Sequence, residues 1–229
     1  MKLLTYNKMK VKLEQATPDP AGTMALVLRL TMHKDLENLG LFEHKTARYL
    51  LQADHTSPLE HVVYSFLIQG VSRSFLAQIA RHRISSFTSA SQHYQDYIDY
   101  PCIIHNPANK EMEASLLESY SHYYHLVQND MPIWEARQVL PNAAAVNIFW
   151  TINARSLVNF LRQRLCHRNV PEMREFANKI LALVTNHFPE LFECVGPQCD
   201  EDTCKQGRLK CSDGPWQRWG IRKDGLYES

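Results

Sequence analysis

Three consecutive basic side chains, Arg81-His82-Arg83, constrain how this chain can fold. On a helix the two arginines lie about 200° apart, and on a strand they share one face while His82 occupies the other. One packed surface therefore cannot bury all three. A stretch rich in hydroxyls and short side chains follows at residues 84–91. Cations beside hydroxyls and backbone N–H groups suit a phosphorylated ligand, whereas a solvated helix end bearing favourable positive charge is the alternative.

The length and the net charge of the chain limit the kinds of protein that it can be. With 229 residues it can bury a substantial core, and one domain is the natural count. The formal net charge of +1 gives no overall attraction to nucleic acid or to a membrane surface. No apolar run approaches the roughly 20 residues of a membrane span, and the first residues lack the apolar core of a signal peptide. We therefore expect a cytoplasmic protein with a local ligand site and with no nucleic-acid or membrane partner.

Hydrophobic periodicity predicts more helix than strand. Alternating or apolar runs predict strands at residues 8–14, 61–69, 97–105 and 146–152. Helical spacing predicts helices at residues 21–29, 35–52, 111–129, 154–165 and 171–187. A few strands scattered among more helices favour an α+β fold over a doubly wound sheet. The sequence contains neither a GxGxxG nor a P-loop motif, so a dinucleotide would not be held by a Rossmann fingerprint.

Six cysteines do not change this picture. Cys102 and Cys166 have apolar neighbours and are expected to be buried as small hydrophobic side chains. The other four lie in a tail with glycines and prolines: Cys194, Cys199, Cys204 and Cys211. Zinc binding by these thiols is an alternative that the spacing disfavours, since no C-x2-C pair is present. We therefore assign no metal site.

Three blocks of the sequence occur in the order and at the separations of a known family. Arg81-His82-Arg83 and Ser91 form the pattern RHR-x7-Ser. Upstream, residues 55–66 read HTSPLEHVVYSF, which is similar to a family segment HxTPFEHxxFxF. Downstream, residues 149–164 are similar to a family block FWTxNARSLxNFLxxR. Together the three blocks resemble the flavin-dependent thymidylate synthases, and three motifs in order are much stronger evidence than one.

The resemblance implies a fold, a reaction and an assembly. The fold is α+β, with a small, mostly antiparallel sheet and several helices. The reaction is C5-methylation of dUMP to dTMP with FAD as cofactor, methylenetetrahydrofolate as carbon donor and NADPH as reductant. The assembly is a homotetramer with shared active sites. Within this framework we expect residues 1–190 to form one catalytic domain, and residues 191–229 to form a C-terminal extension that contains cysteine and glycine.

The resemblance also assigns roles to individual residues. Arg164 is the candidate for polarising the pyrimidine, with a solvated helix residue as the alternative. The residues assigned to the nucleotide substrate are Gln78, Arg81, Ser89, Ser91, His93, Arg137 and Arg164. The residues assigned to FAD are His61, Arg81, His82, Arg83, Asn153, Arg155 and Asn159. From the residues alone, His61 would more often be a hydrogen-bonded structural histidine, and Asn153 would more often cap the helix that starts at residue 154.

A protein nucleophile is the alternative chemistry for attack on the pyrimidine ring. Of the two cysteines with apolar neighbours, only Cys166 has an adjacent histidine, His167. Adjacency in sequence is weak support, because activation of a thiol depends on spatial contact. The family alternative needs no nucleophile from the protein, since a guanidinium stabilises the ionised ring and reduced flavin supplies electrons.

The chain departs from the family pattern around the nucleotide. Ser89 and His93 stand where the family usually has a glutamate and an arginine, and residues 168–172 (RNVPE) replace an HAQWE-like stretch. An imidazole is titratable and lacks the permanent, forked charge of arginine. Methylation of UMP, or another C5 modification, is therefore the second hypothesis. A non-catalytic nucleotide- or RNA-binding protein is the third, and the near-neutral charge argues against it.

Overall fold

The computed structural model describes residues 2–37, 40–98 and 100–201. Its strands are β1 (Leu3–Thr5), β2 (Lys10–Ala16), β3 (Val63–Ser72), β4 (Ser85–Ser89), β5 (Cys102–Ile104) and β6 (Ala145–Asn153). Its helices are α1 (Pro20–Thr31), α2 (His44–Gln52), α3 (Arg73–Ile79), α4 (Lys110–Gln128), α5 (Ile133–Ala136), α6 (Ala154–Arg164), α7 (Pro171–His187), α8 (Pro189–Phe192) and α9 (Gln198–Glu201). Short 3₁₀ helices occupy Tyr6–Lys8, Ser57–His61 and Arg137–Val139.

Two small sheets organise the strands. β1 pairs in parallel with β5, and the larger sheet has the order β2-β3-β6-β4, so that β2 and β4 are its edges. Along β6 the even-numbered side chains from Val146 to Ile152 are buried, whereas Asn147 and Phe149 are exposed. This alternation is the period of two that one packed sheet face produces. The predicted α+β fold with a small, mostly antiparallel sheet is confirmed.

The chain divides into two compact units, and the first contains residues up to Lys12 together with Phe66–Trp150. An aromatic stack lies in its core. The ring of Phe87 in β4 is nearly parallel to that of Trp150 in β6, with ring centroids 6.1 Å apart. The ring centroid of Phe66 in β3 lies 5.8 Å from that of the same indole. Trp150 is fully buried. The stack therefore holds the short edge strand β4 against its neighbour.

The second unit contains Leu13–Ser65 and the described residues from Thr151 onward. Its core is built around α7, where Phe176 meets Phe160 of α6 edge to face at 5.7 Å. The side chain of Val195 is also fully buried, so the residues just after 190 take part in this core. The predicted boundary between a catalytic domain and an extension at residue 190 stays a prediction.

The helix predicted at residues 35–52 is wrong at the described residues before His44, which are 35–37 and 40–43. The structure starts α2 at His44, and the preceding residue, Glu43, is extended with φ −117° and ψ 160°. Gly40 has φ +69°, a left-handed conformation that a right-handed helix cannot contain. A right-handed helix therefore could not run through Gly40, and the described residues among 35–43 are not helical. The helices predicted at 21–29, 111–129, 154–165 and 171–187 are confirmed within two residues at each end.

The strands observed between residues 84 and 105 differ from the one predicted there. The hydroxyl-rich stretch contains β4, which periodicity did not predict, because the packing of Phe87 on Trp150 stabilises a strand there. The strand predicted at 97–105 is reduced to β5. The Ile98 N–H donates to the Asp96 carboxylate at 2.9 Å, so a turn stands where the predicted strand would begin.

The cysteine predictions are confirmed only in part. Cys102 is fully buried, whereas Cys166 is half-buried, so the prediction for Cys166 is wrong. Cys204 and Cys211 lie outside the described residues. Among the residues that are described, no three side chains of His, Cys, Asp or Glu are grouped so that they could hold a metal ion. No helix in the described ranges combines the length and the apolar character that crossing a membrane requires.

Candidate active site

The Arg81-His82-Arg83 segment begins where α3 ends. Ser72 caps the start of α3 by accepting a hydrogen bond from the Phe75 N–H at 3.0 Å. The helix lasts only seven residues, and the chain then leaves it through turns that include Arg81 and His82. Both arginines are exposed, and His82 is half-buried. The Ser85 hydroxyl donates to the His82 carbonyl at 2.6 Å, which fixes the step from the basic segment into β4.

The two arginines of this segment are available to an anion. No hydrogen bond or ion pair in the described part of the chain engages the guanidinium of Arg81 or of Arg83. Their position after a helix C-terminus is electrostatically favourable, as the alternative interpretation expected. The same position leaves two exposed, permanently charged, forked donors that are suited to phosphate. The helix-end and the ligand interpretations are therefore compatible.

The hydroxyl-rich stretch at residues 84–91 ends in a tight turn just after β4. Ser89 is half-buried at the end of β4, while Ser91 and His93 are exposed. The Ser91 Oγ accepts a hydrogen bond from the His93 N–H at 3.1 Å. An acceptor role leaves the hydroxyl hydrogen of Ser91 able to donate to a bound oxygen. The imidazole of His93 lies edge-on to Tyr94, with centroids 4.3 Å apart, so a phosphate contact from His93 would come from a ring at the surface.

Gln78 and Arg137 belong to the same unit but to different segments. Gln78 is half-buried in the last turn of α3. Arg137 is half-buried at the start of a 3₁₀ helix, and its Nε donates to the Trp134 carbonyl at 3.1 Å. Within the described residues no hydrogen bond joins Arg137 to residues 78–93. The Trp134 carbonyl therefore orients the side chain of Arg137.

A second group of candidate residues surrounds the start of α6, in the second unit. The Ala154 N–H donates to the Val62 carbonyl at 2.7 Å, so the sequence blocks 55–66 and 149–164 meet here. The Asn153 side chain accepts a hydrogen bond from the Ser156 N–H at 2.9 Å, which confirms the predicted helix cap. His61 is exposed beside Val62, and no hydrogen bond engages its ring in the described part of the chain. A hydrogen-bonded structural role for His61 is therefore not supported.

An ion pair orients the first arginine of α6. Arg155 Nη1 donates to Glu60 Oε1 at 2.6 Å, and both side chains are about half exposed. Pairs at this exposure stabilise a protein by less than about 1 kcal/mol, so the main effect is to fix the direction of the guanidinium. Sequence reasoning did not assign Glu60 a role. The available signal was its place in the HTSPLEH block, next to His61.

Asn159 lies one turn further along the exposed face of α6 that carries Arg155. Its Oδ1 accepts a hydrogen bond from Gln163 Nε2 at 3.0 Å. This bond fixes the orientation of the amide and leaves the NH₂ group to donate elsewhere. Arg155 and Asn159, two of the residues assigned to FAD, thus share one face of α6, while Asn153 caps its start and His61 precedes the residue whose carbonyl the helix start contacts.

Arg164 lies at the opposite end of α6 from Asn153 and Arg155. Nine residues separate it from Arg155, which corresponds to about 14 Å along a helix axis. Arg164 is half-buried, and its Nη1 donates to Asn169 Oδ1 at 3.2 Å. The prediction of a purely solvated helix residue does not fit this partly buried, hydrogen-bonded guanidinium. The structure therefore separates the candidate pyrimidine contact from the candidate flavin contacts at the start of α6.

Neither cysteine with apolar neighbours has the features of an activated nucleophile. Burial raises the pKa of the Cys102 thiol to about 11, so the thiol stays protonated at neutral pH, and thiolate is the reactive form. Cys166 is half-buried, and no hydrogen bond joins either thiol to a histidine among the described residues. The arrangement favours electrostatic activation of a ligand by guanidinium groups over covalent attack.

Comparison with known proteins places the chain in a family. The family described as Thymidylate synthase complementing protein matches residues 12–190. A flavin-dependent thymidylate synthase of Clostridium tetani is 33% identical over 233 residues, covering 89% of this chain and 93% of that protein. One of Nitratidesulfovibrio vulgaris is 38% identical over 182 residues, covering 72% of this chain and 74% of its own.

A solved structure confirms the fold independently. The UMP/dUMP methylase PolB from Streptomyces cacaoi, bound with 5-Br dUMP, superposes with a TM-score of 0.71 at 19% identity, covering 85% of this chain and 96% of that one. At this identity the similarity establishes the fold, and the sequence relatives establish the lineage. The chain belongs to the family of flavin-dependent thymidylate synthases.

Proposed function

We propose that this protein methylates C5 of dUMP to give dTMP, with FAD as cofactor, methylenetetrahydrofolate as carbon donor and NADPH as reductant. The observation that carries the proposal is the junction at the start of α6. There two family blocks meet through the Ala154 N–H and the Val62 carbonyl, and they leave His61, Arg155 and Asn159 exposed. A structural junction alone would not require polar residues at all three positions.

The donors that the chain presents fit FAD. The exposed guanidinium groups of Arg81 and Arg83 suit the two negative charges of a pyrophosphate. The amide of Asn159 and the ring of His61 can hydrogen-bond the polar atoms of a flavin or a ribityl chain. When bound and reduced, FAD supplies the electrons that turn the transferred carbon into a methyl group. The protein side chains then need only to bind and orient the partners.

Arg164 is our candidate for activating the pyrimidine. A guanidinium beside N3 and a ring carbonyl stabilises the negative charge that develops when the ring becomes electron-rich. Half-burial strengthens this effect, because electrostatic interactions increase as water is excluded. Gln78, Arg81, Ser89, Ser91, His93 and Arg137 are our candidates for the remaining contacts of the nucleotide.

Methylation of UMP remains the second candidate because of Ser89 and His93, which replace a glutamate and an arginine of the family pattern. The relatives at 30–38% identity carry the name thymidylate synthase, which supports dUMP as the substrate. The solved structure named a UMP/dUMP methylase is only 19% identical, too distant to support the ribonucleotide. The third hypothesis, a non-catalytic nucleotide- or RNA-binding protein, has no support beyond the basic segment itself.

We also propose a homotetramer in which different copies contribute to one site. The separation of Arg164 from Arg155 along α6 supports this proposal, because a small pyrimidine contacting Arg164 could not also contact residues about 14 Å away. A second copy could supply the complementary end of the helix. The cytoplasmic location expected from the sequence stays a prediction.

Reconstitution tests the proposed reaction directly. The purified chain mixed with FAD should retain a yellow chromophore after desalting, and dUMP should change the flavin absorption bands. Addition of methylenetetrahydrofolate and NADPH should then give dTMP. A protein that takes up no FAD would contradict the proposal. In parallel assays, a preference for dUMP over UMP greater than tenfold, or about 1.4 kcal/mol in transition-state terms, would reject the ribonucleotide alternative.

The two roles of Asn153 can be separated by substitution. Asn153→Ala removes the helix cap and should destabilise the protein by about 1 kcal/mol, whereas Asn153→Ser keeps a capping oxygen. If Asn153 also contacts FAD, both variants should bind FAD more weakly, while only the alanine variant melts at lower temperature. Asn109→Ala is the matched control, since Asn109 caps α4 by accepting from the Met112 N–H at 3.0 Å. Normal FAD affinity in Asn153→Ser would remove Asn153 from the cofactor site.

Loss of Arg164 should depress turnover more than folding. Arg164→Ala should lower turnover by about 10²–10³, or roughly 3–4 kcal/mol, and Arg164→Lys should also be poor because the planar fork is lost. FAD content should survive, since the flavin contacts are assigned to other residues. Arg162→Ala is the control, because Arg162 is half-buried in the same turn and its guanidinium reaches the Leu51 carbonyl at 3.5 Å. Near-normal turnover of Arg164→Ala would exclude Arg164 from the mechanism, and loss of FAD would indicate a structural role.

Coexpression of two impaired variants tests the shared site. Arg155→Ala and Arg164→Ala should each have strongly reduced activity alone. If the two arginines of one site come from different copies, mixed assemblies should recover part of the activity, because some sites then carry both native side chains. Light scattering should give the mass of four chains. A monomeric mass, or no recovery in assemblies shown to be mixed, would contradict the proposal.

A further inference from the structure

Asn169 lies in the connection between α6 and α7, five residues after Arg164. Its side-chain amide makes three hydrogen bonds within the second unit. Nδ2 donates to the Gln163 carbonyl at 2.8 Å and to the Cys166 carbonyl at 3.2 Å. Oδ1 accepts from Arg164 Nη1 at 3.2 Å. The backbone N–H of Asn169 also donates to the Cys166 carbonyl at 3.0 Å.

The orientation of this amide is determined by its partners. Both groups on one side are carbonyl oxygens, which can only accept, so the NH₂ group must face them. The guanidinium on the other side can only donate, so the amide oxygen must face Arg164. Rotation of the amide by 180° would place donor against donor and acceptor against acceptor. A side chain whose two ends are fixed in this way cannot adjust freely, and it holds the arginine in one direction.

The contacts of Asn169 with the backbone explain why it stays in place. The carbonyl of Gln163 is one of the last four of α6, which have no partner inside the helix. The Asn169 amide satisfies this carbonyl and that of Cys166 in the following turn. The end of the helix is therefore closed by the same group that contacts the Arg164 guanidinium. An amide oxygen also orients the cation without adding the negative charge that a carboxylate would bring.

We propose that Asn169 is a positioning residue that presents the Arg164 guanidinium to the pyrimidine. The proposal rests on the proposed function of Arg164. It concerns residues 168–172, the stretch in which this sequence departs from the family pattern. The contact with the arginine therefore comes from a residue of this divergent stretch.

The first test measures the orientation of Arg164 without any substrate. The holoenzyme is treated with phenylglyoxal, which modifies arginine, and the rate at Arg164 is followed by peptide mass spectrometry. Asn169→Ala should raise this rate several-fold, because the guanidinium loses the hydrogen bond from its Nη1 to Asn169 Oδ1. Asn129→Ala is the matched control. Asn129 closes the C-terminus of α4 by donating to the His125 carbonyl at 2.7 Å, and its loss should leave Arg164 unchanged. An unchanged rate in Asn169→Ala would overturn the proposal.

The second test is a double-mutant cycle on the holoenzyme, with kcat for dTMP formation and the dUMP dissociation constant as readouts. Asn169→Ala should lower kcat about tenfold in the native background and should have no further effect when Arg164 is already alanine. Asn129→Ala should lower the melting temperature without lowering kcat. An equal loss of kcat in both backgrounds would overturn the proposal, because Asn169 would then act independently of Arg164.

A second variant covers the case in which Asn169→Ala does not fold. Asn169→Asp keeps an oxygen facing Arg164 but replaces the two donors and adds a negative charge. Because that oxygen still accepts from the guanidinium, the variant should protect Arg164 from phenylglyoxal as well as the native residue does. Because the added negative charge offsets that of the guanidinium, kcat should fall. Rapid modification of Arg164 in this variant would overturn the proposal. If the native holoenzyme forms no dTMP but the modification rates behave as expected, the proposed function fails and the positioning contact stands.

Discussion

The hydrogen bond from the Ala154 N–H to the Val62 carbonyl is the contact on which the cofactor side of the candidate site depends. At 2.7 Å it joins β3 and the 3₁₀ helix before it to the start of α6. Once the two segments are joined, Glu60 can reach Arg155 and fix its guanidinium. Asn153 caps the same helix at the same point. A single backbone contact thus brings several side chains from two distant sequence blocks to one helix end.

Two asparagines close the two ends of α6, and each lies next to a candidate arginine. Asn153 accepts a hydrogen bond at the N-terminus, beside Arg155, while Asn169 donates to carbonyls at the C-terminus, beside Arg164. Helix ends have unpaired backbone groups, so they are natural places for polar side chains that also contact ligands. The buried face of α6 is apolar and packs against α7 through Phe160. Its rigidity keeps the two arginines at a fixed separation.

The basic segment depends on a different constraint, the aromatic stack in the first unit. Phe87 on Trp150 holds β4 in the sheet, and β4 begins only two residues after Arg83. The exposed arginines are therefore attached to an ordered strand on one side and to α3 on the other. Such anchoring reduces the conformational entropy that a phosphate-bearing ligand would have to remove on binding. The periodicity of the hydroxyl-rich stretch did not predict this strand, because the strand is stabilised by the tertiary contact of Phe87.

The sequence by itself determined the family, the fold class and the helices whose signals are local, such as α7 with proline at its first position. It also identified Asn153 as a cap, because capping is decided within four residues. The start of α2, the strand β4, the Glu60–Arg155 pair and the contact of Asn169 with Arg164 were decided by the tertiary structure. Glu60 and Arg155 are 95 residues apart, and Asn169 reaches Arg164 only through the turn that follows α6. Periodicity reports which side of an element is apolar, but it carries no information on which two polar side chains the folded backbone brings within hydrogen-bonding distance.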